Sequence, residues 1–560
     1  MYIENAKAKR PNKTKIMEKN GIKYVLHVID STYNKDKKYN SEKRVIIGKM
    51  IDENTMIPND NFSKFYNMSD VILEETDNTK SRYLNLGATV TFEKIVKKNH
   101  LLELLGDCFP DDEDNTGYAA KIFDLASYFL ITEDSVAQNF ESYAKRHSLL
   151  SDLKDDSDIS KFYKTLKIST QSELFYKKWI QENLDGGRIF VNYDSTNFPN
   201  YSNNEGVELV DFGKAKVFEQ EKQINVAYAI QQISGTPLVS EIYNGSINDV
   251  SQMKYFLNKL RSFGLKGVNL VIDRGYFSKQ NLEEISKVFS GFLICSKTSN
   301  LAVANMISRV ENEIKRIDNY ISNKKLYAIT KTAKLFKDDL NGMEKFFHIY
   351  WNEQQFVNEK TAFYEDLTSL KEKILNLHTL PEELSNNSNL QYFNITKDEK
   401  NNIKAINFNQ NLIAETINTF GYFCLISSME LTALEALNIY EKRNNIEKIF
   451  TAIKSHLGGN VARVHSDSAI KAKFFVVFIA TIIRNEIFNS LSSLRSRNNK
   501  DFTVPQTISQ LEEIIACKLP NKSYAVLDGP TKRQNEILKA LNVTMKEIFN
   551  ECTYINKRFS

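Results

Sequence analysis

Tyr440, Arg443, Glu447 and Lys454 stand in one run with two, three and six residues between them. At about 100° per residue of an α-helix, the three later side chains fall at roughly 300°, 340° and 320° from the first, a stripe about 60° wide. The spacing therefore predicts one helix face carrying an aromatic hydroxyl, two cations and a carboxylate. Such a face suits metal-assisted attack on a phosphodiester, with the carboxylate holding a divalent ion and the cations gripping phosphate. Solvated helices also carry mixed charges at these offsets, so the stripe needs partners to count as a site.

Two aspartates upstream supply them. In the run Arg188 to Thr196, Ile189, Phe190 and Val191 precede Asp194; in the run Gly267 to Tyr276, Val268, Leu270, Val271 and Ile272 lead into Asp273. Both runs read as short buried strands. A carboxylate where such a strand ends is rigid yet reachable, as coordination of a hard cation requires. Alone it is more often a turn or cap residue. Two of them together with Glu447 make a set of three acids.

At these residues the chain resembles the bacterial DDE transposases of the insertion-sequence-four superfamily, whose last catalytic region carries the Y-x2-R-x3-E-x6-K signature. The first catalytic region of that family is similar to Tyr193, Asp194, Ser195 and Thr196 followed by Phe198 and Pro199. The second is similar to Asp273, Arg274, Gly275, Tyr276 and Phe277. Gly235, Thr236 and Pro237, then Asn244, Gly245 and Asp249, look like the family's hairpin and pre-helix turn, and Ser455 to Asp467 fit downstream. Two positions depart from the pattern: Asn244-Gly245-Ser246 replaces a Pro-Gly-Asn turn, and Lys473 replaces a histidine. A lysine that snorkels to solvent is the expectation at the latter.

The resemblance implies an α/β fold with an RNase H-like (retroviral-integrase-like) catalytic core interrupted by a mixed or β-rich insertion. It implies a DNA transposase that binds the terminal inverted repeats of its element and catalyses cut-and-paste strand cleavage and strand transfer. Asp194, Asp273 and Glu447 would be the catalytic and metal-binding acids, and Tyr440, Arg443 and Lys454 the DNA phosphate contacts. Two Mg²⁺ ions, replaceable by Mn²⁺, would lie roughly 3.5 to 4 Å apart, with Asp194 bridging them. The partners would be double-stranded DNA, both element ends and target, and a second copy of the chain in the DNA complex. Two alternatives stay open on the residues alone: a metal nuclease of the same fold that cannot join strands, and a noncatalytic DNA-binding derivative.

Composition agrees. The 560 residues are enough for more than one domain, and 42% hydrophobic content is enough for sizeable cores. Cys108, Cys295, Cys424, Cys517 and Cys552 form no CxxC pair, which points to a reducing compartment and away from structural zinc. The first residues lack an apolar core, and the longest apolar run, Phe474 to Ile483, spans about half a bilayer. The expectation is a bacterial cytoplasmic protein, nucleoid-associated when on DNA, with no membrane partner. Net charge is only +4, so a DNA-binding surface must be local. The first fifty residues hold thirteen Lys or Arg against five Asp or Glu, interleaved with Tyr2, Tyr24, Tyr33 and Tyr39.

The organisation expected along the chain has six parts. Residues 1–91 form a basic β-containing region for DNA binding, and residues 92–185 an α-helical domain for end recognition broken by an acidic loop from Asp111 to Asn115. Residues 186–300 form the first part of the core and residues 418–495 the second, with the signature helix. Between them, Asp273 and Glu447 are 174 positions apart, too many for one connection, so residues 301–417 are the insertion. Residues 496–560 form a helical tail for dimerisation, with a helix from Pro505 to Cys517.

Overall fold

The computed structural model describes residue 2 and residues 6–559 apart from 35–38, 74–79, 112–116, 167, 185–187, 201–206, 215–218, 248, 266, 337–343, 376, 378–380, 382–383, 385, 399–401, 459–462, 496–501 and 520–522. Most of the acidic loop and the centre of the Ser455 to Asp467 segment thus lie outside the described residues. The chain divides into a unit of Met1–Ser81 and a unit of Arg82–Ser560.

The larger unit is built on a ten-stranded sheet. The labelled elements, in chain order, are helices α1 (Gly87–Lys98), α2 (Tyr118–Thr132) and α3 (Ile168–Asn183), strands β1 (Phe190–Pro199), β2 (Glu219–Gln231) and β3 (Pro237–Asn244), helix α4 (Asp249–Ser262), and strands β4 (Asn269–Ile272), β5 (Gly291–Ser296), β6 (Tyr320–Ile321), β7 (Leu326–Ala333) and β8 (Lys345–Trp351). Helix α5 (Glu353–Leu375), strand β9 (Tyr422–Ser427) and helices α6 (Ala433–Glu441), α7 (Asn444–His456), α8 (Asp467–Ser490) and α9 (Val504–Glu512) follow. The spatial order is β3-β2-β1-β4-β5-β9-β8-β7-β6, with Asp211–Lys214 paired outside it on β2. β1, β2 and β3 are antiparallel, whereas β1, β4 and β5 run parallel. The parallel step from β3 to β4 needs a crossover, and α4 provides it. All four residues of β4 are buried, as expected of a strand covered on both faces.

Three expectations are corrected. The helices after Gly87 do not form a domain of their own. α8 is buried on every side from Ala472 to Ile483, with fifteen buried residues among its twenty-four, so that stretch must be surrounded; α2, α3 and β3 pack on it in one continuous core. The segment from 301 to 417 is mixed, as expected, but it is no single insertion. Its first half adds β8, β7 and β6 to the edge that β9 leaves, and only the rest forms a satellite. There α5 and the hairpin Phe393–Lys397 with Ile403–Phe408 enclose Leu367, Leu370, Ile374, Phe393, Ile406 and Ile413. Nor is the tail wholly helical. α9 stops at Glu512, and Ile515–Lys518 becomes a strand between Tyr83–Asn85 and Tyr524–Val526.

The tail is fastened to the helices that open the unit. His147 Nε2 and Asn85 Nδ2 each lie 2.8 Å from Glu512 Oε2, Ser148 Oγ donates to Glu551 at 2.8 Å, and Lys94 pairs with Glu547. Lys473 does not snorkel: it is 3% exposed, and burial, with Arg463 adding to it against Asp134, pushes its ammonium down to about 8. Among the described residues no helix is long and apolar enough to cross a membrane.

The smaller unit is a six-stranded antiparallel sheet closed over Ala8, Val25, Ile47, Met56 and Phe62. Its edge strand Lys15–Lys19 is exposed along its whole length.

Candidate active site

Register brings the two aspartates together. In the parallel pair β1 and β4, Tyr193 stands beside Ile272, so Asp194 and Asp273 are the next residues on strands about 5 Å apart. The expectation that both acids end strands holds only for Asp273. β1 continues to Pro199, paired with β2, and Asp194 lies in its middle opposite Tyr228. What ends at that height is β4: its chain turns into a short 3-10 segment, Arg274–Tyr276, which the Asp273 side chain caps through the Arg274 N–H at 2.5 Å. Asp194 is therefore strand-rigid, yet one side of it has lost its neighbour.

The signature does not lie on one helix. Tyr440 belongs to α6, Arg443 stands at the junction, and Glu447 and Lys454 belong to α7. At the break the Asn445 and Ile446 N–H groups bond to the Lys442 and Arg443 carbonyls, three residues back. The Lys442 carbonyl also accepts Asn192 Nδ2 at 3.1 Å, and Asn192 in turn accepts Gln232 Nε2 at 2.9 Å. Gln232 Nε2 reaches the Ile439 carbonyl as well, at 3.0 Å. Both amides are buried.

The period of a strand explains how α7 is carried. Asn192, Asp194 and Thr196 share one face of β1, and they hold Lys442, Arg443 and Lys454 in turn. Lys454 Nζ donates to Thr196 Oγ1 at 2.8 Å and lies 5.2 Å from the centre of the Phe198 ring, two residues further on.

Arg443 gathers the acids. Its Nη1 is 3.4 Å from Asp194 Oδ2 and 3.7 Å from Asp273 Oδ2, and its Nη2 is 2.7 Å from Glu447 Oε1. The guanidinium is buried, and its Nε has no hydrogen-bond partner among the described residues. Burial opposes its charge, but Tyr440 and the three carboxylates outweigh that cost, so its affinity for the proton rises. The acids open outward in steps, with side-chain exposures of 15% at Asp194, 37% at Asp273 and 54% at Glu447. The Tyr440 hydroxyl reaches Asp273 Oδ1 at 3.5 Å. Burial first, then Cys295 and Asp273, keep that phenol protonated far into the alkaline range.

Five of the six residues singled out in the sequence thus meet around Arg443, and Lys454 stands beside them on Thr196, two residues along β1 from Asp194. Four supporting ones were not picked out as site residues. Tyr276 bonds Ser195 Oγ at 2.6 Å and lies 3.5 Å from Asp194 Oδ1, Cys295 adjoins Tyr440, and Asn192 with Gln232 fixes the helix break. The one legible signal among them is Asn192, a polar residue inside an apolar strand two positions before Asp194.

Residues 186–483, more than half of the chain, match the transposase DDE domain family. The chain belongs to the DDE transposase family. It is therefore a DNA transposase, an enzyme class that cleaves DNA with divalent metal ions. Curated protein sequences give no match. A cryo-EM structure of a piggyBac transposase synaptic complex with hairpin DNA aligns with 78% of this chain and 81% of its own at 10% identity and a TM-score of 0.35.

Three carboxylates facing one cation make an all-oxygen donor set of the kind hard divalent ions take. Among the described residues no three acidic, histidine or cysteine side chains are gathered closely enough to share an ion. In the transposase Arg443 stands between the acids, its positive charge where an ion's charge would be required.

Proposed function

We propose that this transposase belongs to the insertion-sequence-four lineage. It would bind the terminal inverted repeats of its element, cut them free and join them to target DNA. The observation that carries the reading is the convergence of Asp194, Asp273 and Glu447 on the guanidinium of Arg443. The strand order β3-β2-β1-β4-β5, with three antiparallel and then two parallel members, supports an RNase H-like core. Asp194, Asp273 and Glu447 would hold two magnesium ions, with manganese as a substitute. Bound there, the ions supply the charge that stabilises attacking and leaving oxygens.

The chain's own residues do the rest. Asp194, rigid in its strand, sets the depth of the site, and Glu447 closes its open side. Arg443, whose buried Nε finds no acceptor among the described residues, is placed to grip a phosphate oxygen. The Tyr440 hydroxyl, held protonated, donates to the same phosphate, and Lys454 anchors the next one along β1. Double-stranded DNA, element ends and target alike, is the partner; two copies of the chain would act together on paired ends in the bacterial cytoplasm. The basic sheet of the first unit would add sequence-independent phosphate contacts.

Asp194→Asn, Asp273→Asn and Glu447→Gln are expected to abolish magnesium-dependent cleavage and joining while leaving binding to the element ends within a few-fold of wild type. Gel assays with labelled ends and a target plasmid read both steps. Wild-type cleavage by any one of the three removes that residue from the site. Precut ends that are never joined would make the protein a nuclease only.

A further inference from the structure

A groove of about 690 Å³ opens beside Glu447, between α7, α8 and the start of α9. Lys448, His456, Arg484 and Arg495 line it, with the ring of Phe488 among them. Lys448, Arg484 and Phe488 also line an adjoining recess of about 120 Å³, which reaches Ile233 and the side-chain amides of Asn485 and Asn489. The groove therefore begins at a carboxylate of the site and leads to an apolar, amide-rimmed pocket.

Several of these groups have no use in the catalytic constellation. The Arg495 guanidinium lies 3.5 Å from the centre of the Phe488 ring, which is itself 40% exposed. Its Nη1 is buried and finds no hydrogen-bond partner among the described residues. A buried N–H without an acceptor is costly, and in native proteins such a group calls for an explanation. At Arg484 burial lowers the affinity for the proton and Glu133 is the carboxylate that opposes it. The same Glu133 pairs with His456 at 3.0 Å. The wall thus carries more cation than carboxylate, and it includes the guanidinium stacked on Phe488.

We infer that this groove is the track of a single DNA strand leading away from the catalytic carboxylates, with phosphates on Lys448, Arg484 and Arg495 and a base against the Arg495–Phe488 pair. The inference rests on the transposase reading of the adjoining site. Cations alone would suit any DNA. The stacked Arg–Phe platform and the recess suit an unpaired base, because arginine planes and aromatic rings stack on bases that have left the duplex. A strand in this position would be held next to Glu447 while its partner is cut.

The test uses the full chain in chelator, with fluorescence anisotropy on an oligothymidine and on a blunt duplex of random sequence. Arg495→Gln and Phe488→Leu are each expected to lower the oligothymidine affinity relative to the duplex affinity by about tenfold, the worth of one stacked base. Arg495→Lys keeps the charge and loses the plane, and is expected to fall between Arg495→Gln and wild type; it also serves if Arg495→Gln fails to fold. An unchanged ratio overturns the inference, and so does an equal loss for both probes. Wild-type protein that binds the duplex but not the oligothymidine overturns it too, while the transposase reading stands. Protein that binds neither probe and cuts no DNA with magnesium overturns both.

Discussion

Arg443 acts as a counter-charge for three acids that would otherwise repel one another. Arg443→Gln should therefore lower the melting temperature in chelator, by an amount equivalent to about 1–3 kcal/mol given that Glu447 is half exposed. Magnesium should restore part of that loss and raise the melting temperature of the variant more than that of wild type. Equal metal responses in the two proteins would show that the acids do not share a cation site. Asn192 offers a second check. Asn192→Ala leaves the Lys442 carbonyl and Gln232 without their shared partner, a loss of about 1–3 kcal/mol. Cleavage should fall further than stability alone explains, because Arg443 directly follows the released carbonyl. A double-mutant cycle with Gln232→Ala should give a coupling of about 0.5–3 kcal/mol; strict additivity would separate the two amides.

Helical arithmetic placed Glu447 and Lys454 on one face correctly, since both lie on α7. It failed for Tyr440 and Arg443 because the break between α6 and α7 has no local signal: Glu441 to Asn445 contain neither glycine nor proline. The cause is tertiary, a bond from Asn192, some 250 residues earlier in the chain. The strands were legible wherever apolar runs were short and β-branched, as at β4. Their partners were not, so the extension of the core sheet by β6, β7 and β8 could not be read. Within that extension His348 is fully buried on β8, between Thr330 Oγ1 at 2.9 Å and Ser427 Oγ at 3.1 Å. Burial depresses its pKa to about 4. The unfolded chain takes up this proton first as the pH falls below about 6.5, so the contribution is intact above that value. It is lost between there and pH 4, by up to about 3 kcal/mol. His348→Leu should melt with a shallower pH dependence than wild type across this window, and parallel curves would remove His348 as the cause.

Two compact units imply two unfolding events. Calorimetry of the full chain should resolve a small transition for Met1–Ser81 and a larger one for Arg82–Ser560, and removal of residues 1–81 should delete the first without moving the second. A single transition that shifts on truncation would show the two units to be coupled. Within the larger unit the apolar runs of the sequence announced a large core, but not that α8 would draw the first helices and the sheet into one. That merging depends on what surrounds a helical stretch buried on all sides, which no local pattern states.

The pairing of Tyr83–Asn85 with Ile515–Lys518, reinforced by His147 and Asn85 on Glu512, also sets a schedule for biosynthesis. A ribosome adding roughly 5–20 residues each second must make more than four hundred further residues after Asn85 before that strand meets its partner. Until then the nascent larger unit keeps an open seam. Its completion waits until Ile515–Lys518 has left the ribosome.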